Sequence, residues 1–222
     1  MPFVRQESET FLYFAAPKPY ASVRPPKRRK SLIFQGLDLT SLTTNTQSTP
    51  LAAVVLAAGK GTRMKSALPK VLPPVAGRAM VHHVLDAAKA AGASRRIVVL
   101  ARGMDDVAKA VAPAEVAIQD PPLGTGHAVL AARHLLNGFQ GRVAVLFADT
   151  PLITTENFSA VERAMDRGAH VGVLGFRPPD PAMFGRMITA SDGTLERIVE
   201  FKDANAAERT VGLCNSGIMI ID

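Results

Sequence analysis

Leu51-Ala52-Ala53-Val54-Val55-Leu56-Ala57-Ala58-Gly59-Lys60-Gly61-Thr62-Arg63-Met64 is the stretch that decides the reading of this chain. Its first eight residues form the longest unbroken apolar run in the sequence, far too short to span a membrane. Residues 52–56 read as a strand, and the glycines after it read as a loop that turns the chain into the next element. Working outward, the same texture repeats. Helices are expected over 80–91, 104–111, 126–136 and 156–167, and strands over 96–100, 115–118, 142–147 and 170–175. Strand–helix alternation at this spacing implies right-handed βαβ units: an α/β fold with a Rossmann-like, doubly wound, mostly parallel sheet. Beyond residue 176 the pattern turns strand-rich and more polar, with strands expected over 186–189, 195–199 and 217–221. That segment is expected as a partial second lobe over the carboxyl ends of the strands, where open α/β sheets bind ligands.

Upstream of residue 51 the texture is different. Residues 1–50 hold Pro17, Pro19, Pro25, Pro26 and Pro50, the basic cluster Lys27-Arg28-Arg29-Lys30 and a polar run from Ser41 to Thr49. No period of 2 or 3.6 persists, so a disordered extension is expected there, with residues 51–222 as the domain. The apolar segment Phe11-Leu12-Tyr13-Phe14-Ala15-Ala16 is too short for a secretory h-region and has basic residues after it. The chain of 222 residues carries 26 Lys and Arg against 19 Asp and Glu. Seven of those cations and three of the acids fall in residues 1–50, so most of the basic excess belongs to the extension. The extension reads as dispensable, the alternative being an anion-binding tail through residues 27–30. Aromatics make up only 5%, with no Trp, which argues against a stacking platform for single-stranded nucleic acid. One Cys excludes a disulfide framework and fits a reducing, cytoplasmic setting.

The glycine loop departs from two familiar phosphate-binding patterns. A dinucleotide fingerprint needs Gly three residues after Gly61, where Met64 stands, and a Walker loop needs Ser or Thr after Gly-Lys, where Gly61 stands. Small residues at Ala57, Ala58 and Gly59 still let backbone N–H groups approach a phosphate. Arg63 and Lys70 add two fixed cations within eleven residues of Gly59. Each opposite-charge pair near 4 Å is worth roughly 4 kcal/mol before desolvation at an effective dielectric of 20. The loop therefore points to a polyphosphate ligand.

At this point a resemblance becomes specific. Leu56-Ala57-Ala58-Gly59-Lys60-Gly61-Thr62-Arg63-Met64 and Leu68-Pro69-Lys70-Val71-Leu72 resemble the signature of sugar-1-phosphate nucleotidyltransferases. Leu123-Gly124-Thr125-Gly126-His127-Ala128, Ala148-Asp149-Thr150-Pro151-Leu152 and Phe184-Gly185-Arg186 follow in order. So do Ile198-Val199-Glu200-Phe201-Lys202-Asp203-Ala204 and Asn215-Ser216-Gly217. The ordered set resembles the uridylyltransferase domain of the bifunctional N-acetylglucosamine-1-phosphate uridylyltransferase/glucosamine-1-phosphate N-acetyltransferase family, from about residue 52 to the last residue. What the resemblance implies is the nucleotidyltransferase fold and, in the cytoplasm, transfer of a uridylyl group from UTP to N-acetylglucosamine 1-phosphate, a step of cell-wall precursor synthesis. The partners implied are those two small molecules, with Mg²⁺ as cofactor and no nucleic acid or membrane.

Residue by residue, the resemblance assigns Leu56, Ala57, Ala58 and Gly59 to the nucleotide, Arg63 to the triphosphate and Lys70 to the α-phosphate and sugar phosphate. It assigns Gln119, Gly124 and Thr125 to the uracil, Asp149 to the metal, and Gly185, Glu200 and Asn215 to the sugar. An amide such as that of Gln119 can donate and accept, as an imide edge requires. Three positions depart from the pattern: Ala148 where Gly is usual, Asp120-Pro121-Pro122 where polar residues are common, and Pro73 where His is common. Cys214 reads as a small buried hydrophobe, and His82 and His83 lack a ligand set.

Members of the family continue past the position of Asp222 with the rest of the sugar lobe, an Asn that is a second metal ligand, and a hexapeptide-repeat β-helix that carries acetyl transfer and builds trimers. From residues 1–222 alone no acetyl transfer and no oligomer are expected, and uridylyl transfer is expected to be weak or absent. The last strand is expected to leave an unpaired edge. Two other readings stay open on the residues: a nucleotidyltransferase for another base, sugar or cofactor, and a nucleotide-binding module without turnover.

Overall fold

The computed structural model describes residues 10–15, 49–59, 69–166, 168–191 and 193–222. The elements run β1 (Thr10–Ala15), β2 (Leu51–Leu56), the short hairpin β3 (Pro74–Val75) and β4 (Arg78–Ala79), α1 (Met80–Ala90), β5 (Ala93–Ala101), α2 (Asp105–Ala110) and β6 (Glu115–Gln119). After these come α3 (Thr125–Ala131), a 3-10 turn (Arg133–Leu136), β7 (Arg142–Phe147), α4 (Thr155–Met165), β8 (Val171–Phe176), β9 (Arg186–Thr189), β10 (Leu195–Val199), α5 (Ala206–Arg209) and β11 (Cys214–Ile221).

The main sheet has the order β1-β8-β11-β7-β2-β5-β6. β2 pairs in parallel with both β5 and β7, and β5 with β6. β11 is antiparallel to β7 and to β8, so β8 runs the same way as β2. All six residues of β2 are buried because the sheet is covered on both sides. Leu51, Ala53, Val55 and Ala57 pack into one core with Val81 and Val84 of α1 and Phe158 and Val161 of α4. Val54 and Leu56 pack on the opposite face with Ala128 of α3 and Ala132. Period-2 alternation within an unbroken apolar run is thus the physical form of the doubly wound sheet.

Each helix forms for a local reason. α1 presents Met80, Val81, Val84, Leu85 and Ala88 inward, a stripe at helical spacing. α4 begins where Asn157 Oδ1 accepts the Thr154 N–H at 2.9 Å, closing the first turn. Gly172 of β8 lets α4 lie close: a Cβ there would come within 2.6 Å of Val161. Among the described residues no helix is long and apolar enough to cross a membrane.

Three expectations change. Within the extension, Thr10–Ala15 forms a six-residue antiparallel ladder with β8, so this short part of residues 1–50 is ordered at the sheet edge. The rest of the extension before residue 49, including the basic cluster 27–30, lies outside the described residues. The last strand is not an unpaired edge; β11 sits inside the sheet between β7 and β8, its apolar residues Ile218 and Ile220 buried. The helix expected over 126–136 ends as an α-helix at Ala131 and tightens into the 3-10 turn.

Candidate active site

The carboxyl ends of β2, β6 and β7 open onto one hollow of about 550 Å³. Its wall includes Leu56, Ala57, Ala58 and Gly59 after β2, Lys70, Gln119 at the end of β6, Gly124 and Thr125 at the start of α3, and Asp149 after β7. Val71, Pro122, Ala128 and Phe147 complete it. The structure therefore brings together every expected nucleotide and metal residue that it describes. Arg63 lies outside the described residues.

The loop after β2 leaves its strand with the Ala57 N–H bonded to Val99 O at 2.9 Å. Gly59 has no positive φ, and a Cβ placed on it would meet nothing within 4 Å among the described residues. Its smallness is available to a ligand's close approach. Asp149 follows β7 by two residues. Ala148 is fully buried and its N–H bonds Leu56 O at 3.1 Å, which fixes the start of the turn. Thr150 closes that turn, its hydroxyl donating to Phe147 O at 2.7 Å. Alanine fits where glycine is usual, and Asp149 keeps its place.

Lys70 reaches the same spot from a different segment. Its neighbour Val71 is buried, the Leu72 N–H bonds Pro69 O at 2.9 Å, and Val71 O accepts the Val81 N–H at 3.2 Å. These contacts tie the segment to the start of α1 and aim Lys70 across the hollow. There its Nζ pairs with Asp149 Oδ2, both side chains about a third exposed. The pair holds cation and anion at the place where a polyphosphate and its counterion would have to be received. Among the described residues no three His, Cys, Asp or Glu side chains cluster as a ligand set. A single carboxylate suits Mg²⁺, which keeps several waters and takes its other oxygens from substrate phosphates.

At the other end of the hollow, Gln119 is buried. Its Nε2 donates to Gly124 O at 2.9 Å and faces His127 Nδ1 at 3.3 Å. Gly124 needs to be glycine, with φ at 98°. The expectation that the amide both donates and accepts toward a base narrows: its donor side is taken up internally. In the departing segment, Asp120 turns outward to Arg102 at 2.7 Å and Pro122 supplies apolar wall.

The three expected sugar residues lie together, off the wall of this hollow. Gly185 O accepts the Asn215 N–H at 2.9 Å, and a Cβ on Gly185 would stand 3.5 Å from Glu200 Oε1. Asn215 Oδ1 is itself engaged by the Gly217 N–H at 3.0 Å. A bulge in β11 puts Gly217 at φ 83°, where a Cβ would strike the Phe147 ring at 2.5 Å. Through that contact the sugar cluster abuts the hollow's Phe147 wall.

Sequence reasoning missed Arg186, which is 2% exposed at the base of this cluster. Its guanidinium donates to the carbonyls of Pro181 at 3.2 Å, Ala182 at 3.0 Å, Phe184, and Arg209 at 3.4 Å. It also lies over the Phe201 ring, 5.3 Å from the centroid. Burial pushes the Cys214 thiol up, against the opposing influence of Arg186, which makes it a poor nucleophile. His82 and His83 each place Nε2 2.8 Å from a backbone carbonyl, of Ala110 and Val75, which is structural work.

Comparison with known proteins sharpens this picture. The MobA-like NTP transferase domain matches residues 53–210. The bifunctional protein GlmU of Rhodospirillum rubrum is 53% identical over 176 residues, covering 78% of this chain and 39% of that protein. Its namesake in Maricaulis maris is 52% identical over 171 residues, covering 76% and 38%. The chain thus spans about two fifths of the length of these curated relatives. Among solved structures, a Bacillus anthracis protein named for glucose-1-phosphate thymidylyl transfer, crystallised with sucrose, superposes with a TM-score of 0.60. It is 18% identical, with 78% of this chain and 71% of that one covered, a likeness of fold.

Proposed function

The chain belongs to the MobA-like NTP transferase family, and from that premise we propose that it transfers a uridylyl group from UTP to N-acetylglucosamine 1-phosphate, releasing pyrophosphate. The observation that carries the reading is the Lys70–Asp149 pair set across one hollow from the buried amide of Gln119. A nucleoside triphosphate has that polarity, a flat polar base at one end and concentrated charge at the other. The name shared by the bacterial relatives favours this reading over other nucleotidyl transfers.

In the proposed reaction a phosphate oxygen of the sugar phosphate attacks the α-phosphorus of UTP in line. The new P–O bond forms as the bond from that phosphorus to the bridging oxygen breaks, and the electron pair leaves with pyrophosphate. The attacker is already an anion, so no side-chain nucleophile is needed. The protein's task is to position two polyanions and offset their repulsion. Gln119, Gly124 and Thr125 hold the base, and the backbone of residues 57–59 approaches the phosphates. Asp149 would hold Mg²⁺, which when bound neutralises phosphate charge. The incoming triphosphate draws Lys70 away from Asp149, freeing the carboxylate and bringing the ammonium to the α-phosphate. Gly185, Glu200 and Asn215 present the sugar from beside Phe147. Arg63 is proposed as the second cation on the triphosphate.

A panel of four nucleoside triphosphates against several sugar 1-phosphates, read as pyrophosphate release, tests the reading. UTP with N-acetylglucosamine 1-phosphate is expected to be fastest. A faster pair, or binding of UTP with release at background, would overturn it.

A further inference from the structure

A second hollow, of about 360 Å³, lies between α1, the start of β5 and the turn from α2 into β6. It shares no lining residue with the first, and the proposed reaction does not use it. α1 contributes His82, Leu85, Asp86 and Lys89, one stripe at helical spacing. Bonds within the fold hold the hollow open. Ala110 O can only accept, so His82 donates to it from Nε2 at 2.8 Å and ties α1 to the end of α2. The Ala114 N–H bonds Val111 O at 2.9 Å and closes the turn into β6.

The charge of this hollow is uneven. Between residues 78 and 120 the cations are Arg78, Lys89, Arg95, Arg96, Arg102 and Lys109. Four of them have carboxylate partners: Arg78 with Asp86, Arg95 with Glu115, Arg102 with Asp120 and Lys109 with Asp106. The two without one among the described residues, Lys89 and Arg96, both line this hollow. They are rooted at the same turn. There the Gly92 N–H bonds Lys89 O at 3.0 Å, and Arg96 Nη1 donates to Ala93 O at 2.9 Å. That bond takes one of the five N–H groups of a guanidinium. Asp86 is the one carboxylate on the wall among the described residues, and Arg78 neutralises it at 2.6 Å. Leu85, Val111 and Pro113 supply apolar wall. A concave wall of low polarity gives the two cations a stronger field than a flat, solvated surface would.

We infer that this hollow is a binding site for a small phosphate monoester: Lys89 and Arg96 take the phosphate, and the apolar wall takes the body that carries it. A phosphate monoester holds about 1.5 to 2 negative charges at pH 7, which matches the two cations left without a carboxylate. Ligand cavities span roughly 300–1,000 Å³, and this one stands near the small end, which suits a single ring or short chain as the body. The inference does not depend on the uridylyl reading.

Calorimetry on the full chain with phenyl phosphate, inorganic phosphate and benzyl alcohol tests it. Phenyl phosphate is expected to bind on the order of tenfold more tightly than inorganic phosphate, and benzyl alcohol not measurably. Lys89→Gln and Arg96→Gln should each weaken phenyl phosphate by on the order of tenfold, with thermal melts confirming that both fold. Lys70→Ala, in the first hollow, and Arg133→Gln, on the exposed 3-10 turn, should leave this binding in place. No saturable binding, or binding untouched by Lys89→Gln and Arg96→Gln, overturns the inference. So does loss of all phenyl phosphate binding in Lys70→Ala, which would put the probe in the first hollow. An equal loss in Arg133→Gln would mean diffuse surface charge and overturn it too. Equal affinity for inorganic phosphate would overturn the organic ligand in favour of free phosphate.

Discussion

The proposed nucleotide half of the site and the proposed sugar cluster are built by different means. Around the hollow, Leu56–Gly59, Gln119 and Asp149 hang from the ends of three parallel strands. Those strands are held in register by the parallel ladder, with β2 buried on both faces and β6 at the sheet edge. In the proposed sugar cluster, Gly185 and Glu200 flank a two-stranded hairpin, β9 and β10, which joins the main sheet at the pair Cys214–Arg186, and Asn215 sits beside that junction on β11. What the sheet does for one half, a buried guanidinium does for the other. Arg186 gathers carbonyls from the 181–184 loop and from α5 around one charge. The lesson is that substitutions in the first half should separate activity from stability, and substitutions at the base of the second should not.

The largest expected effect is Asp149→Ala. It removes the one carboxylate on the hollow's wall among the described residues and leaves the turn, held by Ala148 and Thr150, intact. The proposed uridylyl transfer should fall by about a thousandfold or more, while the melting temperature stays within about 2 °C. Pyrophosphate release and a thermal melt read the two numbers. Collapse of the fold in this variant would erase the contrast between the halves.

Lys70→Ala comes next. Its charge matters most as the α-phosphorus becomes crowded, so kcat should drop by on the order of a hundredfold, with KM for UTP changing less. Removal of Lys70 also leaves Asp149 without its partner, so divalent-cation affinity of the free protein should rise. Titration with Mn²⁺ checks the second point. A kcat that does not move would reassign Lys70 to the surface.

The contrast also explains what could be read from sequence. The sheet was legible because burial on both faces leaves apolar runs such as Leu51–Leu56 and Arg142–Phe147, and the hairpin strands Arg186–Thr189 and Leu195–Val199 also fall where expected. Gln119 and Asp149 were legible as lining of the hollow because their motifs are attached to strand ends, and Lys70 because its motif is contiguous in sequence. Three things were not. The position of β11 inside the sheet depends on pairing with two distant strands, which no local period encodes. β1 is a strand by virtue of the exposed edge of β8, on a sequence with no persistent period. The Arg186 cage is made of backbone carbonyls, which carry no side-chain signature at all.

Arg186→Met tests the second half directly. Methionine fills part of the volume but leaves carbonyls of Pro181, Ala182 and Arg209 without their donor. Stability should fall by about 2–4 kcal/mol, or about 5–10 °C in melting temperature. Because the cage holds the loop that ends at Gly185, KM for the sugar phosphate should rise by about tenfold while UTP affinity is kept. Arg186→Lys should rescue little, since three ammonium donors on one point cannot span a planar cage. A loss of UTP affinity equal to the loss for sugar phosphate would mean the two halves are not independent.

The smallest effect belongs to Glu162, on α4 behind the sheet and away from both halves. Burial pushes its carboxyl up, with Arg142 pulling it down and Asp166 pushing it up again. Arg142 offsets this only in part, because the guanidinium pairs with Asp166 at 2.8 Å and meets only the backbone of Glu162, at 3.4 Å. The sign follows from proton counting. With a folded-state value above the unfolded one, the folded chain binds more protons once pH rises past the ordinary carboxylate range, so stability falls with rising pH there. Below that range both states are protonated and nothing is lost. Glu162→Gln should therefore leave the melting temperature unchanged at pH 4 and raise it by about 1 °C at pH 8, a modest gain because solvent screens much of the charge. Turnover should be the same in both proteins at either pH, relative to the wild type. An activity change in Glu162→Gln would show that α4 communicates with the Asp149 turn it follows in sequence, and the stability of the nucleotide half could then no longer be treated apart from its chemistry.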